Sequence, residues 1–320
     1  MIEDFNEAMK YCEKAYHLAP ENVSIVSNLG IIYCSLKKYA DAEKMFKISD
    51  RIRPNFLPLL IQFGELYCLG KRYEEAVAVY KRAEQLEPDN PFIAANLGSA
   101  YFDWGKTEEA IIYLEEANKK IPDEPAILTT LGKAYLENKE YEKAKSLLER
   151  SNELENDNPD TLCHLGHLFS EIGQYNHAES LLKRAFEIDP ENGLILNNLA
   201  VAYNGNGKHD QSEKVLKKAV DVEPDNFLFL LNYGVLVFNK GQHNEALKVF
   251  LKAEALKPHD KYVCNNLAAC YLALGEFKKS KHYIYESLKN DDERLSVILS
   301  NYLIVHKNLQ RNMEVFAPIR

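Results

Sequence analysis

Apolar residues recur along this chain in two alternating helical registers. In the first, Val26, Leu29, Gly30 and Tyr33 share one face of a helix. The same spacing returns as Leu60, Phe63, Gly64 and Tyr67, and again as Leu162, Leu165, Gly166 and Phe169. In the second register a large residue stands between two small ones, as in Ala42, Phe46 and Ser49 or Ala178, Leu182 and Ala185. Punctuation separates the two. Gly105, Gly173, Gly207, Gly241 and Gly275 stop the first helix and let the chain turn. Pro54, Pro88 and Pro122 end the second, and Pro91, Pro125 and Pro159 open the next helix where a missing N–H costs nothing. The pattern predicts helix–turn–helix pairs along the chain and no strand.

The pairs keep one period. Pro20, Pro54, Pro88 and Pro122 lie 34 residues apart, and the series resumes at Pro190, Pro224 and Pro258 after Asn156 takes one slot. At that period full repeats cover 23–56, 57–90, 91–124, 125–158, 159–192, 193–226, 227–260 and 261–294, with no insertion or deletion. Repeat position 8 is Gly or Ala throughout, so the first helix can approach its partner closely there. Positions 20 and 27 are Ala or Ser on the second helix, and position 24 is always large, from Phe46 to Ile284.

Leu-Gly, Tyr, Ala, aromatic, Ala and Pro in these columns resemble the tetratricopeptide repeat family over residues 1–294. The resemblance implies an all-α fold, a right-handed α-solenoid superhelix of stacked antiparallel helix pairs with a concave groove lined by the first helices. Residues 1–22 match only the second half of a repeat, with Ala8, Ala15 and Pro20 in register. A native helical cap and a piece of a longer array both fit, and the retained internal pattern favours the piece. Repeat eight departs from the columns at Ser280, Ser287 and Asp292. Residues 295–320 are expected to form a capping helix and tail, with Asn301 and Tyr302 in place of Leu-Gly.

Composition narrows the function. Forty-eight acidic residues face 39 basic ones, a net charge of −9 that disfavours nucleic acid as a partner. The longest apolar stretch, Phe227 to Phe238, is 12 residues, whereas a membrane span needs about 20. No membrane insertion is expected, and the N-terminus lacks the basic start and apolar core of a secretory signal. Six cysteines without a C-x-x-C pair read as free thiols in a reducing, cytoplasmic setting. No phosphate-binding loop, nucleotide fingerprint, metalloprotease motif or nucleophile elbow occurs, so the chain is expected to have no catalytic residues and no cofactor. His164, His167 and Glu171 share one helical face at a spacing that can bind a transition metal. Solvated groove residues are the preferred reading, and no metal site is assigned.

The resemblance also implies which residues face the groove: positions 2, 5, 6, 9, 12 and 13 of each first helix. In those columns Lys133 is the only Lys or Arg. The first five repeats contribute Glu65, Asp103, Glu137, Asp160 and Glu171, an acidic groove. Repeats six to eight contribute no charge. They bring Asn197, Asn198, Asn232, Asn265 and Asn266 among Leu228, Leu231, Val235, Phe238 and Tyr262. An Asn amide offers one acceptor and two donors, so such a row can hold the backbone of an extended peptide. It resembles the asparagine ladder of O-linked N-acetylglucosamine transferases, without their catalytic domain. The basic clamp with which the co-chaperone subfamily holds a C-terminal carboxylate has no counterpart here. The expected function is a non-catalytic scaffold that binds an extended or helical segment of another protein, including one with a basic stretch. The alternative is a substrate-recruiting arm of a larger enzyme or complex.

Overall fold

The computed structural model describes residues 2–288, and among them are seventeen α-helices and no strand. The capping helix expected after residue 294 lies outside the described residues. The first helices of successive repeats are α2 (Val23–Ser35), α4 (Leu57–Leu69), α6 (Pro91–Asp103), α8 (Pro125–Glu137), α10 (Pro159–Glu171), α12 (Gly193–Gly205), α14 (Phe227–Asn239) and α16 (Lys261–Ala273). The second helices are α3 (Tyr39–Ile52), α5 (Tyr73–Leu86), α7 (Thr107–Lys120), α9 (Tyr141–Leu154), α11 (Tyr175–Ile188), α13 (His209–Val222), α15 (His243–Leu256) and α17 (Phe277–Leu288). They are preceded by α1 (Ile2–Leu18). The chain divides into two compact units, residues 1–156 and 157–320.

Local chemistry sets the helix ends. Asn22, Asn90, Asn158, Asn192, Asn226 and Asp260 stand just before first helices, and their side-chain oxygens accept from the opening backbone N–H groups. The turn after each first helix needs a residue at positive φ. Gly105 and Gly241 take it without strain at +78°, whereas Lys37, Lys71 and Lys139 adopt +58°, +56° and +60°. Lys139→Gly is therefore expected to raise stability by about 1 kcal/mol. Urea denaturation of the two chains reads this directly, and an unchanged midpoint would show the strain to be absent.

Within each unit a second helix packs on its own first helix and on the first helix of the next repeat. Successive first helices are neighbours, while successive second helices are not. The first helices therefore line the inner side of each stack. Close approach within a pair rests on the small residue at position 8. A Cβ on Gly30 would stand 2.3 Å from the Phe46 ring, and one on Gly234 2.5 Å from the Phe250 ring. Phe46 and Phe250 are fully buried as a result.

Polar groups then tie repeat to repeat. The guanidinium of Arg150 reaches Asp123 at 2.8 Å, Arg82 reaches Asp50 at 2.7 Å and Lys218 reaches Glu191 at 2.7 Å. These pairs lie at the surface, exposed or half-buried, and each contributes no more than about 1 kcal/mol. Glu179 is different because it is buried. Its carboxylate accepts from Lys183 at 2.6 Å, from Lys208 at 2.8 Å and from Asn206 at 2.7 Å. That network joins α11 to the turn between α12 and α13.

Candidate functional site

The inner faces of the two units carry different chemistry. In the second unit, Leu194, Val201, Leu228, Val235 and Tyr262 project from α12, α14 and α16, each between 37% and 46% exposed. Leu231 and Phe238 are partly withdrawn, packed against the core cluster around Phe250, and Phe238 also touches the His243 ring at 4.9 Å between centroids. Side chains this apolar and this exposed, on successive first helices, form an uncharged patch along the inner columns.

The asparagines divide into two groups. Asn197 and Asn198 are buried and spend their amides on neighbours. Asn232 Nδ2 donates to Asn197 Oδ1 at 2.8 Å, Asn197 Nδ2 to Asn198 Oδ1 at 3.3 Å, and Asn198 Nδ2 to Cys163 Sγ at 3.3 Å. Asn232, Asn265 and Asn266 remain half-buried at the surface. The amides thus form an internal polar seam, and the open groove face is mainly aliphatic. Asn204 and Asn239 are exposed on the same side. They fall at positions 12 and 13 of their first helices, within the groove columns. Reading position 6 of one repeat against position 5 of the repeat before exposes the seam, because its inter-repeat bonds link residues 35 apart.

In the first unit the inner columns hold Glu65, Asp103 and Glu137, all exposed. Partial loss of water raises the Glu65 carboxyl above its usual range. It raises that of Asp103 as well, against the pull of Lys133. Burial also pushes the Cys34 and Cys68 thiols up to about 11, helped by the neighbouring Glu65 and, for Cys68, Asp103. Loss of water around the ionised form is the leading cause of all four shifts. Glu171 belongs to the second unit and lies 3.7 Å from His167, while His164 lies 3.3 Å from Asp160. The two histidines turn to separate carboxylates. Among the described residues no three His, Cys, Asp or Glu side chains converge as metal ligands. All six cysteines are free thiols, and no described helix is long and apolar enough to cross a membrane.

Stacked helix pairs of this kind, presenting an inner face of first helices, define a tetratricopeptide-type interaction solenoid. The chain belongs to the family described as the cilia and flagella-associated protein 70 C-terminal domain, whose profile matches residues 59–257. Tetratricopeptide repeat profiles match residues 3–60 and 262–294. Among solved structures, the chain resembles one in the APC/C hetero-tetramer Cut9-Hcn1 with 14% identity and a TM-score of 0.71, over 92% of this chain and 59% of that one. It also resembles a tetratricopeptide repeat protein from Parabacteroides merdae, with 19% identity and a TM-score of 0.58, over 78% of this chain and 98% of that one. The chain therefore spans little more than half the length of the Cut9-Hcn1 chain it matches, and likeness at these identities speaks for the fold. No curated protein matches the sequence. Proteins built from this repeat are generally non-catalytic scaffolds that bind other proteins or peptides.

Proposed function

We propose that the chain binds an extended or helical segment of a partner protein on the inner face of its first helices, without catalysing a reaction. The carrying observation is the exposed, uncharged patch of Leu194, Leu228, Val235 and Tyr262, bordered by the half-buried Asn232, Asn265 and Asn266. An apolar stretch docks there. The acidic face of the first unit, carrying the exposed Glu65, Asp103 and Glu137, takes a basic stretch. Asn197 and Asn198 act by holding Asn232 in place. The six free thiols support a reducing compartment such as the cytoplasm. The family description makes a ciliary or flagellar protein the first partner to test.

Leu228 and Tyr262 are surface residues, so charge placed there disturbs binding before folding. In capture from an extract of ciliated cells, Leu228→Glu with Tyr262→Glu is expected to lower retention of the partner at least tenfold. Circular dichroism should show the same helix content in both chains. Undiminished capture by the double variant would sink the proposal. A second reading, an arm that recruits substrates within a larger complex, is favoured by the match to a family described as a C-terminal domain. Copurification of an enzyme subunit, lost with the same double variant, distinguishes it.

A further inference from the structure

Between α12 and α14, on the inner face of the second unit, lies a cleft of about 120 Å³. Val201, Val235, Leu216 and Leu236 form its aliphatic side, Val201 and Val235 exposed and Leu216 buried. The one hydroxyl in the wall is already used, since Ser212 Oγ donates to the Ala200 carbonyl at 2.7 Å. No charged residue lines the cleft. An apolar cavity of roughly 150 Å³ accepts benzene, so this smaller open cleft of about 120 Å³ suits one branched aliphatic side chain better than an aromatic one.

Three amides border it, those of Asn204, Asn232 and Asn239, and internal bonds engage the first two. The seam of hydrogen bonds runs one way, from Asn232 Nδ2 to Asn197, then to Asn198 and on to Cys163. In that direction Asn232 spends its Nδ2 on Asn197, and the seam leaves its Oδ1, an acceptor, unengaged. With the proton on His209 Nδ1, which sits 2.9 Å from Asn204 Oδ1, Asn204 keeps its Nδ2 as a donor. One acceptor and one donor beside an aliphatic hole are the complement of one residue of an extended chain: an N–H, a C=O and a side chain.

We propose that this cleft is a specificity pocket for a single Val, Ile or Leu in an uncharged partner segment. The peptide N–H beside that residue donates to Asn232 Oδ1, and the adjoining C=O accepts from Asn204 Nδ2. The pocket rests on the groove reading above and adds to it the identity of the residue recognised.

A random-peptide phage library panned on the full chain tests this. Enriched peptides are synthesised and titrated against the unaltered chain, Val235→Phe, Val235→Ala and Leu228→Glu. The expected consensus holds one Val, Ile or Leu whose replacement by Ala or by Phe weakens binding about tenfold or more, since one methylene in an apolar pocket is worth about that. N-methylation of one adjacent amide does the same. Val235→Phe fills the cleft and abolishes binding, while Val235→Ala, which cannot crowd the fold, shifts selection toward larger aliphatic residues. The pocket alone is overturned if the peptides lose affinity on Leu228→Glu yet tolerate Ala and Phe at every aliphatic position and bind Val235→Phe unchanged. Peptides indifferent to Leu228→Glu, or a library that yields none, overturn the pocket and the groove reading together.

Discussion

Phe250→Ala is expected to lower the stability of the second unit by about 3–5 kcal/mol, the usual cost of emptying a buried aromatic site. The ring is fully buried and stands where any Cβ on Gly234 would clash. Removing it leaves a void facing a residue with no side chain to collapse into it. The repeats themselves supply a control. At the same position Leu114, Leu148 and Leu182 are buried against Gly98, Gly132 and Gly166. Phe250→Leu should therefore cost only about 1.5 kcal/mol or less. Gly234→Ala alone should destabilise by crowding the ring, and the Gly234→Ala, Phe250→Leu pair should recover part of that loss. Ala200 opposite the buried Leu216 shows that such a combination packs. Chemical denaturation of the four chains measures the coupling directly. If Phe250→Ala and Phe250→Leu melted alike, the close-packing account of position 8 would be wrong.

The second large effect belongs to Glu179. Burial alone would raise its pKa, but donation from Lys183, Lys208 and Asn206 outweighs burial and holds it down at about 2, against an ordinary 4.5. A carboxyl depressed in the folded chain stabilises it above the unfolded value, and loses that contribution as pH falls through the folded value. The shift corresponds to about 3 kcal/mol at neutral pH. Glu179→Gln keeps the side chain's size and should lose most of that amount at pH 7. The gap between the two chains should narrow by about half at pH 3 and vanish near pH 2. Urea titrations across that range check it. A gap that stays constant with pH would mean the carboxylate charge does not stabilise the turn between α12 and α13.

Much of the fold is legible in the sequence because sterics repeat. A glycine or alanine every 34 residues, facing a large residue sixteen positions later in the same repeat, fixes how near two helices come. Helix ends follow from proline and glycine, although the Lys37, Lys71 and Lys139 turns adopt positive φ without glycine's help. The site is less legible. Positions 5 and 6 of the later repeats read as amides facing the groove, yet Asn197 and Asn198 turn to their neighbours. That choice depends on the offset between adjacent first helices, which no single repeat reveals. Glu179 gives no signal in its own column for the same reason. Its partner Lys208 is 29 residues away, an offset shared by Arg72 and Glu43. Single columns show what packs within a repeat, and only pairs of columns show what one repeat says to the next.

Hydrogen–deuterium exchange on the full chain, with and without the captured partner, tests the central claim most directly. Binding on the inner face predicts slowed exchange in α12, α14 and α16, with α13 and α15 unchanged. Protection confined to α13 and α15 would contradict the account.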